Sequence, residues 1–185
     1  ETRLYPCKLL HYKRSQPIKP MTKSDFKRFA RTEMSKLGLD GWTVKFNGRI
    51  KRAVGKCKMG KKRIDLSKAY FVEHGDELPD EMLKDVILHE IAHALDYKRR
   101  GTSDHSRKWK RVAREVGANP SRTANVPEEL IAKVADWKRE CPKCGWEAYY
   151  HSKPTAEGHL CPECHRDFHP RSEKLEYVLD IKPNN

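Results

Sequence analysis

The sequence predicts an α+β fold that is followed by a small four-cysteine unit. Apolar residues recur at helical spacing in four segments, and short alternating runs between the first two of these segments indicate strands. Two C-x-x-C pairs follow the last helical segment. At 185 residues, the chain has room for one ordinary domain and a small appendage. We expect a basic N-terminal arm over residues 1–20, the α+β domain over 21–140, and the four-cysteine unit with a C-terminal strand over 141–185.

The first predicted element is a helix over residues 21–37. Thr22 or Ser24 can cap its N-terminus, because a hydroxyl oxygen accepts a hydrogen bond from a free backbone N–H group of the first turn. Gly38 is placed to end the helix. Its apolar stripe consists of Phe26, Phe29, Ala30, Met34 and Leu37.

Three strands are predicted next, and we expect them to form an antiparallel meander with one buried face. Asn47-Gly48 is a strong signal for a two-residue hairpin turn between the first two strands. Gly55 lies inside the second strand, where a glycine indicates a bulge or the close approach of another part of the chain. The strands cover residues 42–46, 49–57 and 63–66.

Three further helices and two strands complete the prediction. The helix that contains His89 is apolar on almost every face, so we expect it to be buried. The next helix has Asp104 as its expected N-cap and Gly117 as its end. The predicted helices cover residues 83–99, 104–116 and 128–139, and the predicted strands cover 146–150 and 174–181.

The pattern His89-Glu90-Ile91-Ala92-His93 is the most informative feature of the chain. Two histidines four residues apart on a helix lie on the same face, with their Cβ atoms roughly 5–6 Å apart. Both imidazoles can therefore bind one zinc ion. Glu90 lies beside the open coordination position, where it can take a proton from water. A catalytic zinc also needs a third protein ligand.

Three residues are candidates for that third ligand. Asp96 follows His93 by one turn, and it is better placed to orient a ligand or to cap the helix end. Glu115 lies 22 residues after His93, whereas His105 lies 12 residues after it, behind a turn. Glu115 and His105 are separated by roughly 15 Å along one helix, so they cannot both reach one ion. We choose His105, because a turn that reverses the chain would bring it back to the metal.

Two C-x-x-C pairs separated by 16 residues predict a second, structural zinc site. Each pair is typical of a zinc-ribbon knuckle, and four thiolates complete a tetrahedral site. A redox dithiol is the alternative for one such pair, but two pairs at this spacing favour zinc. The predicted ligands are Cys141, Cys144, Cys161 and Cys164. A segment this short has too little core to fold without the metal.

The net charge of +13 is concentrated in the N-terminal part of the chain. Residues 1–78 contain 20 Lys and Arg against 8 Asp and Glu, which gives +12, whereas residues 141–185 contain 6 against 7. Such a field favours the binding of nucleic acid, with a marked dependence on salt. The predicted DNA contacts are Lys51, Arg52, Lys61, Lys62 and Arg63. Unpaired bases can stack on tryptophans, although each alone is more typical of a core residue; the four are Trp42, Trp109, Trp137 and Trp146.

The composition also bears on location. No apolar run reaches the length of about 18 residues that indicates a membrane span, and no apolar signal-peptide core lies near the start. Four of the six cysteines are explained by zinc, which favours a reducing environment. We therefore expect an intracellular protein of the cytoplasm or nucleoid, or of the nucleus if the source is eukaryotic.

The combined pattern resembles the SprT-like metalloproteases, whose eukaryotic relatives include the Spartan-type DNA–protein crosslink proteases. The resemblance covers roughly residues 22–170. Beside the zinc helix and both cysteine pairs, it is carried by Gly55-Lys56-Cys57, by Arg63-Ile64-Asp65-Leu66-Ser67 and by His105 before Trp109. In the Wss-like protease group the third histidine lies much closer to the second, so the separation in this chain argues against that group.

The resemblance implies a zincin-like metalloprotease domain with a C-terminal zinc ribbon. In such a domain His89, His93 and His105 would bind the catalytic zinc, Glu90 would be the base, and the four cysteines would bind the structural zinc. The family often has glycine before the third histidine and Gly-Pro after it, whereas this chain has Asp104-His105-Ser106-Arg107. His165 follows the second knuckle, where glycine is usual. Neither departure removes a ligand.

The leading functional hypothesis is a zinc endopeptidase that acts on DNA-bound proteins, with DNA, single-stranded DNA included, as its partner. One alternative is a nucleic-acid-binding zinc-ribbon protein with a vestigial protease site. The other is a general small zinc peptidase with no dependence on DNA, which the near-neutral ribbon supports. Tyr70, His74 and Tyr97 are guesses for the group that stabilises the oxyanion.

Overall fold

The computed structural model describes residues 20–121, 124–155, 158–164 and 179–184. The predicted basic arm lies outside these ranges, apart from Pro20. The described helices are α1 (Lys23–Lys36), α2 (Asp80–Arg100), α3 (Arg107–Glu115) and α4 (Glu128–Val134). The strands are β1 (Thr43–Asn47), β2 (Gly55–Lys58), β3 (Arg63–Ser67), β4 (Trp137–Glu140), β5 (Glu147–Tyr150) and β6 (Asp180–Pro183). No helix in these ranges has the length and apolar character needed to cross a membrane.

Helix α1 begins and ends where its local signals place it. Thr22 is the N-cap: its hydroxyl accepts a hydrogen bond from the Asp25 backbone N–H group, and the Asp25 carboxylate accepts one from the Thr22 N–H group. Gly38, which follows the last turn, has a φ of +63°, a conformation that glycine adopts at little cost. The helix buries Phe26, Ala30 and Met34.

The first sheet has the order β1-β3-β2, and the predicted antiparallel meander is wrong for one of its two pairs. Strands β2 and β3 are antiparallel, as expected. Strand β1 pairs with β3 and runs parallel to it, with Thr43 opposite Arg63 and Asn47 opposite Ser67. Strand β3 is therefore central, and its residues 64–67 are buried.

Asn47 explains why the expected hairpin does not form. Its side-chain oxygen accepts a hydrogen bond from the Arg49 N–H group at 2.9 Å, and its amide nitrogen donates one to Asp65 at 3.1 Å. This local turn ends β1 without returning the chain along it. Residues 48–54 instead cross to the far edge of β3, where Ser67 donates from its hydroxyl to Ile50 O at 2.6 Å and from its N–H group to Val54 O at 2.8 Å.

The core lies between this sheet and the buried face of α2, with α1 and α3 packed against the same helix. Apolar side chains of α2 fill the interface, and Leu83, Ile87 and Ile91 are fully buried. Burial of a side chain of this size stabilises the fold by roughly 1.5–3 kcal/mol. Gly101, with a φ of +71°, ends α2 and lets the chain turn back toward α3.

Two predicted helix boundaries are wrong. Helix α3 begins at Arg107 with Ser106 as its N-cap, so Asp104 is not the cap and His105 precedes the helix. Helix α4 ends at Val134, because Ala135 has an extended backbone, and residues 137–140 form β4 instead of a continuing helix.

The second sheet has the order β5-β4-β6, and both of its pairs are antiparallel. Strand β4 lies on the N-terminal side of the boundary predicted at residues 140–141, yet it is the central strand of this sheet. Strand β5 matches the prediction closely. The strand predicted over residues 174–181 lies mostly outside the described residues, and the observed strand covers residues 180–183.

The capping of α1 gives a prediction about stability. Replacing Thr22 with Ala should lower the free energy of unfolding by about 1 kcal/mol, because the Asp25 N–H group loses its acceptor. The hydrogen bonds from Thr22 lower the pKa of Asp25 from 3.8 to about 2, so the contribution of this carboxylate is present above pH 3.8 and is lost as the pH falls toward 2.

Urea unfolding at pH 7 and at low pH would test this, with Ser24→Ala as the matched control. Ser24 is exposed and is not the cap, so its replacement should leave stability unchanged or slightly higher. An equal effect of the two variants would contradict the assignment of the cap.

Candidate metal centre

Three histidines from two separate segments meet beside α2. His89 and His93 project from one face of this helix, and His105 reaches the same point from the turn before α3. Their Nε2 atoms form a nearly regular triangle, with separations of 3.3 Å between His93 and His89, 3.1 Å between His93 and His105, and 3.2 Å between His105 and His89.

This triangle has the size that a tetrahedral zinc site requires. A Zn–N distance of about 2.05 Å and a tetrahedral angle place two ligand nitrogens about 3.3 Å apart. Hydrogen bonding cannot explain three mutual Nε2 contacts, because each Nε2 of a neutral imidazole is either a donor or an acceptor, so at least one of the three pairs would join two donors or two acceptors. The three residues therefore form a group that could hold a metal ion.

The other two candidates for the third ligand have different partners. Asp96 is buried and receives two hydrogen bonds from the Arg100 guanidinium, at 2.6 and 2.5 Å. Glu115 forms a two-bond ion pair with Arg99, at 2.6 and 2.7 Å. His105 is thus the residue that lies beside His89 and His93. The carboxylates of Asp96 and Glu115 are instead paired with arginines.

The histidine rings are held by an aromatic side chain and by a hydroxyl group. Trp109 is fully buried, and its ring centroid lies 4.7 Å from His89 and His105 and 4.8 Å from His93. The Ser103 hydroxyl lies 2.8 Å from Nδ1 of His93. A hydrogen bond at Nδ1 leaves Nε2 facing its two neighbours, which is the orientation that a metal ligand needs.

Burial keeps the helix histidines neutral. Burial, and to a smaller extent the neighbouring histidines, lower the pKa of His89 and of His93 to about 4, because low solvation and like charges both disfavour protonation. At neutral pH the Nε2 lone pairs are therefore available to a cation.

Glu90 lies next to this cluster and is 8% exposed. Burial raises its pKa to about 7, although a hydrogen bond from the Cys57 backbone and the charge of Lys56 oppose the shift. A carboxyl group with such a pKa can accept a proton and return it near neutral pH. The same carboxylate contributes to a raised pKa of about 12 for the half-buried Cys57 thiol, for which burial is the larger cause.

Gly55 makes room for Glu90. A Cβ atom at Gly55 would lie 2.9 Å from Glu90 Cγ, 3.1 Å from Glu90 Oε1 and 3.0 Å from Val86 Cγ1. The close approach predicted from a glycine inside a strand is therefore confirmed, and the segment that approaches is α2. Strand β2 thus forms one wall beside the carboxylate.

Glu90 and His89 line an open cleft of about 440 Å³. One wall is the segment before β2, another is the loop that follows α3, and His151 from the second sheet's unit closes one side. Asp85 fixes the loop, because its carboxylate accepts a hydrogen bond from the Asn119 N–H group at 2.7 Å. Asp85 and His151 were not predicted as cleft residues, and neither has a motif in the sequence that would have indicated it.

The four predicted cysteines also meet. Cys141 Sγ lies 3.8 Å from Cys164 Sγ, and Cys144 Sγ lies 3.6 Å from Cys161 Sγ. These distances exclude disulfides, whose S–S length is about 2.05 Å. They match the sulfur separation of about 3.8 Å expected around one tetrahedral zinc with Zn–S bonds of about 2.3 Å. The group could hold a metal, and backbone N–H groups of residues 143 and 144 lower the pKa of the Cys141 thiol to about 7.

The four-cysteine unit is attached to the cleft wall. Lys51 forms an ion pair with Asp136, and the Arg52 guanidinium donates a hydrogen bond to the Ser152 hydroxyl. Arg52 also lines the cleft. The unit that carries the four cysteines therefore shapes the cleft from outside the first sheet.

The predicted DNA contacts divide into two sets. Lys51, Arg52 and Arg63 have partners within the protein, Arg63 being paired with Asp65 at 2.6 Å. Lys61 and Lys62 are exposed. Among the tryptophans, Trp42 and Trp109 are buried, so they are core residues, whereas Trp137 and Trp146 are half-buried.

Comparison with known proteins gives the family. A family model described as SprT-like matches residues 22–130, which is more than half of the chain. The chain belongs to the SprT-like family. A relative from Lactiplantibacillus plantarum that carries the name "Protein SprT-like" is 26% identical over 120 residues, which cover 64% of this chain and 77% of that protein. The matched region of this SprT-like chain contains the three histidines and Glu90, and it ends before the four cysteines.

The contact between Gly55 and Glu90 gives a second prediction. Gly55→Ala should destabilise the metal-free protein by about 1–3 kcal/mol, because the added methyl group overlaps side chains that are already packed. In a Glu90→Ala background the same change should cost at least about 1 kcal/mol less, since the Cγ and Oε1 atoms are then absent.

Chemical denaturation of the four proteins of this cycle would measure both effects. Gly60→Ala is the matched control, because a Cβ atom there meets nothing within 4 Å. A cost for Gly55→Ala that is the same with and without the Glu90 side chain would contradict the proposed contact.

Proposed function

We propose that this SprT-like protein is a zinc-dependent endopeptidase that cleaves proteins bound to DNA. The observation that carries the proposal is a buried carboxylate, Glu90, beside a triangle of histidine nitrogens at the edge of an open cleft. Family membership and the two possible metal groups support a peptidase. The direction toward DNA-bound substrates rests on the charge of the chain.

The residues suit peptide hydrolysis. A zinc ion held by His89, His93 and His105 would supply a Lewis acid that lowers the pKa of water and polarises the scissile carbonyl. Glu90 takes a proton from the water molecule whose oxygen adds to the carbonyl carbon. It then delivers that proton to the amide nitrogen as the C–N bond breaks, which leaves a free amine and a carboxylic acid.

Tyr70 is the best placed of the three guessed oxyanion groups. It lines the cleft together with Glu90, and burial raises its pKa, so its hydroxyl keeps its proton. His74 instead pairs with Glu77 at 2.8 Å, and Tyr97 lies near Trp42 and Gly101, away from the cleft. We propose that the Tyr70 hydroxyl donates a hydrogen bond to the developing oxyanion.

Tyr70→Phe should therefore lower kcat by about 10²–10³-fold, the usual loss for one oxyanion donor, while substrate KM and zinc content change little. Tyr97→Phe is the matched control and should keep wild-type kcat. Steady-state kinetics on a peptide substrate would decide between the two tyrosines, and an unchanged kcat for Tyr70→Phe would remove it from the mechanism.

DNA enters the proposal through electrostatics. The net charge of +13 favours association with a polyanion, which would concentrate the enzyme near DNA-bound proteins. The exposed Lys61 and Lys62 are available for phosphate contacts. Specificity would then come from co-localisation on DNA, since the cleft is open.

A general peptidase is the second candidate. It is favoured by the internal pairing of Lys51, Arg52 and Arg63, which leaves these three side chains less available to phosphates. This candidate predicts cleavage that depends on neither DNA nor salt, so one assay separates the two functions.

The decisive experiment compares the wild type with Glu90→Gln on a DNA-binding protein, with and without single-stranded DNA. We expect DNA to stimulate cleavage, and the variant to lose at least about 100-fold in rate with zinc still bound, because glutamine cannot accept the proton. DNA-independent cleavage would favour the general peptidase. Equal rates for the two proteins would exclude Glu90 as the base, and DNA binding without cleavage by either would favour a vestigial site.

A further inference from the structure

We propose that an ion-pair chain, Asp96–Arg100–Asp104, positions His105 and thereby sets the metal affinity of the histidine cluster. The inference rests on the metal-binding part of the proposed function and is independent of DNA. The turn over residues 101–106 is called the ligand turn. It joins α2 to α3 and carries the one histidine of the cluster that is not on α2.

The chain starts inside the protein. The Asp96 side chain is 1% exposed and receives bonds from Arg100 Nε at 2.6 Å and Nη2 at 2.5 Å. The pair joins residues four apart in the last turns of α2, and its fork-to-fork geometry fixes the orientation of the guanidinium. Exposed ion pairs contribute little to stability, but a pair with one buried partner has a defined geometry.

The chain continues into the ligand turn. Arg100 Nη2 lies 3.6 Å from Asp104 Oδ1, and this same carboxylate oxygen accepts a hydrogen bond from the Ser106 N–H group at 2.9 Å. His105 lies between Asp104 and Ser106 in the sequence. The hydrogen bond between Asp104 and Ser106 thus spans His105. The contact between Arg100 and Asp104 connects this turn to α2, which carries the other two histidines.

The ligand turn supports a second histidine as well. Ser103, in the same turn, has its hydroxyl 2.8 Å from Nδ1 of His93. A displacement of the turn would therefore move His105 and also remove the partner that orients His93. Partners of this kind commonly change metal affinity by about 10–100-fold when they are removed.

The sequence around His105 agrees with such a role. Asp104 and Ser106 flank His105 in the sequence. These two residues form the hydrogen bond that closes the turn.

The test is the zinc affinity of the histidine cluster, measured by competition with a chelator on the full chain. Cobalt(II) absorption distinguishes the imidazole site from the four-thiolate site, so each is followed separately. Arg100→Met should weaken metal binding at the histidines by about tenfold, with the cysteine site unchanged. Arg99→Met is the matched control: Arg99 is the neighbouring residue and pairs with Glu115, so its loss should leave the affinity within about twofold.

Loss of Arg100 leaves Asp96 buried without its ion pair, and this can unfold the protein. Asp104→Ala avoids that problem, because Asp104 is exposed and the buried pair stays intact. It should weaken metal binding several-fold while the metal-free protein stays folded and loses only the small contribution of the Ser106 N–H hydrogen bond. A merely structural role would lower stability and leave the affinity of the folded site unchanged.

The outcomes separate this inference from the proposed function. Wild-type affinity in both Arg100→Met and Asp104→Ala would overturn it. An equal loss in Arg99→Met would also overturn it, because the loss would then not depend on the contacts of Arg100; by charge alone, removal of either arginine would strengthen the binding of a cation. A wild-type protein that binds no metal at the histidines would overturn both the inference and the metal-dependent mechanism. Metal binding that depends on Arg100, in a protein that cleaves no peptide, would support the inference and exclude the peptidase.

Discussion

Helix α2 is buried on almost every face, and yet it carries His89, Glu90, His93 and Asp96 within two turns. Each of these groups loses water when the helix packs, so each needs a polar partner. Arg100 serves Asp96, Ser103 serves His93, and a backbone N–H group serves Glu90. These contacts provide hydrogen-bond partners for the buried polar groups of α2. The three Nε2 atoms of the histidine triangle remain as the group that could hold a cation.

Local signals in the sequence were sufficient for the existence of the four α-helices and for the approach of the three histidines, but not for the start of α3 or the end of α4. A candidate cap, an apolar stripe and a terminal glycine predicted α1, and helical spacing predicted the shared face of His89 and His93. Helix geometry was enough to choose His105 over Glu115, because only one of the two can lie at the end of α3 that faces the metal. The pairing of β1 could not be predicted in this way. Asn47-Gly48 has the composition of a hairpin turn, but strand order depends on hydrogen bonds to Asp65 and Ser67, which are distant in sequence.

The cleft shows a similar limit. Gly55 was correctly predicted to lie against another segment, since a glycine inside a strand leaves room for a close approach. Asp85 and His151 became cleft residues only through the fold: one fixes a loop and the other comes from a different unit. The residues of the chemical motif could thus be read from spacing, whereas the residues that shape the space around it could not. The partners of Lys51 and Arg52 could not be predicted from spacing either: Lys51 pairs with Asp136, and Arg52 donates a hydrogen bond to Ser152.

The attachment of the cysteine unit through Lys51 and Arg52 has a consequence for how the cleft responds to its surroundings. The four thiols lie outside the histidine cluster, yet the unit that they belong to supplies His151 to one side of the space inside the cleft. An oxidant that joins these thiols would therefore alter the width of that space while the histidines remain intact. Oxidation of these thiols would thus act on the cleft through a part of the molecule that lies apart from the histidine cluster and from Glu90.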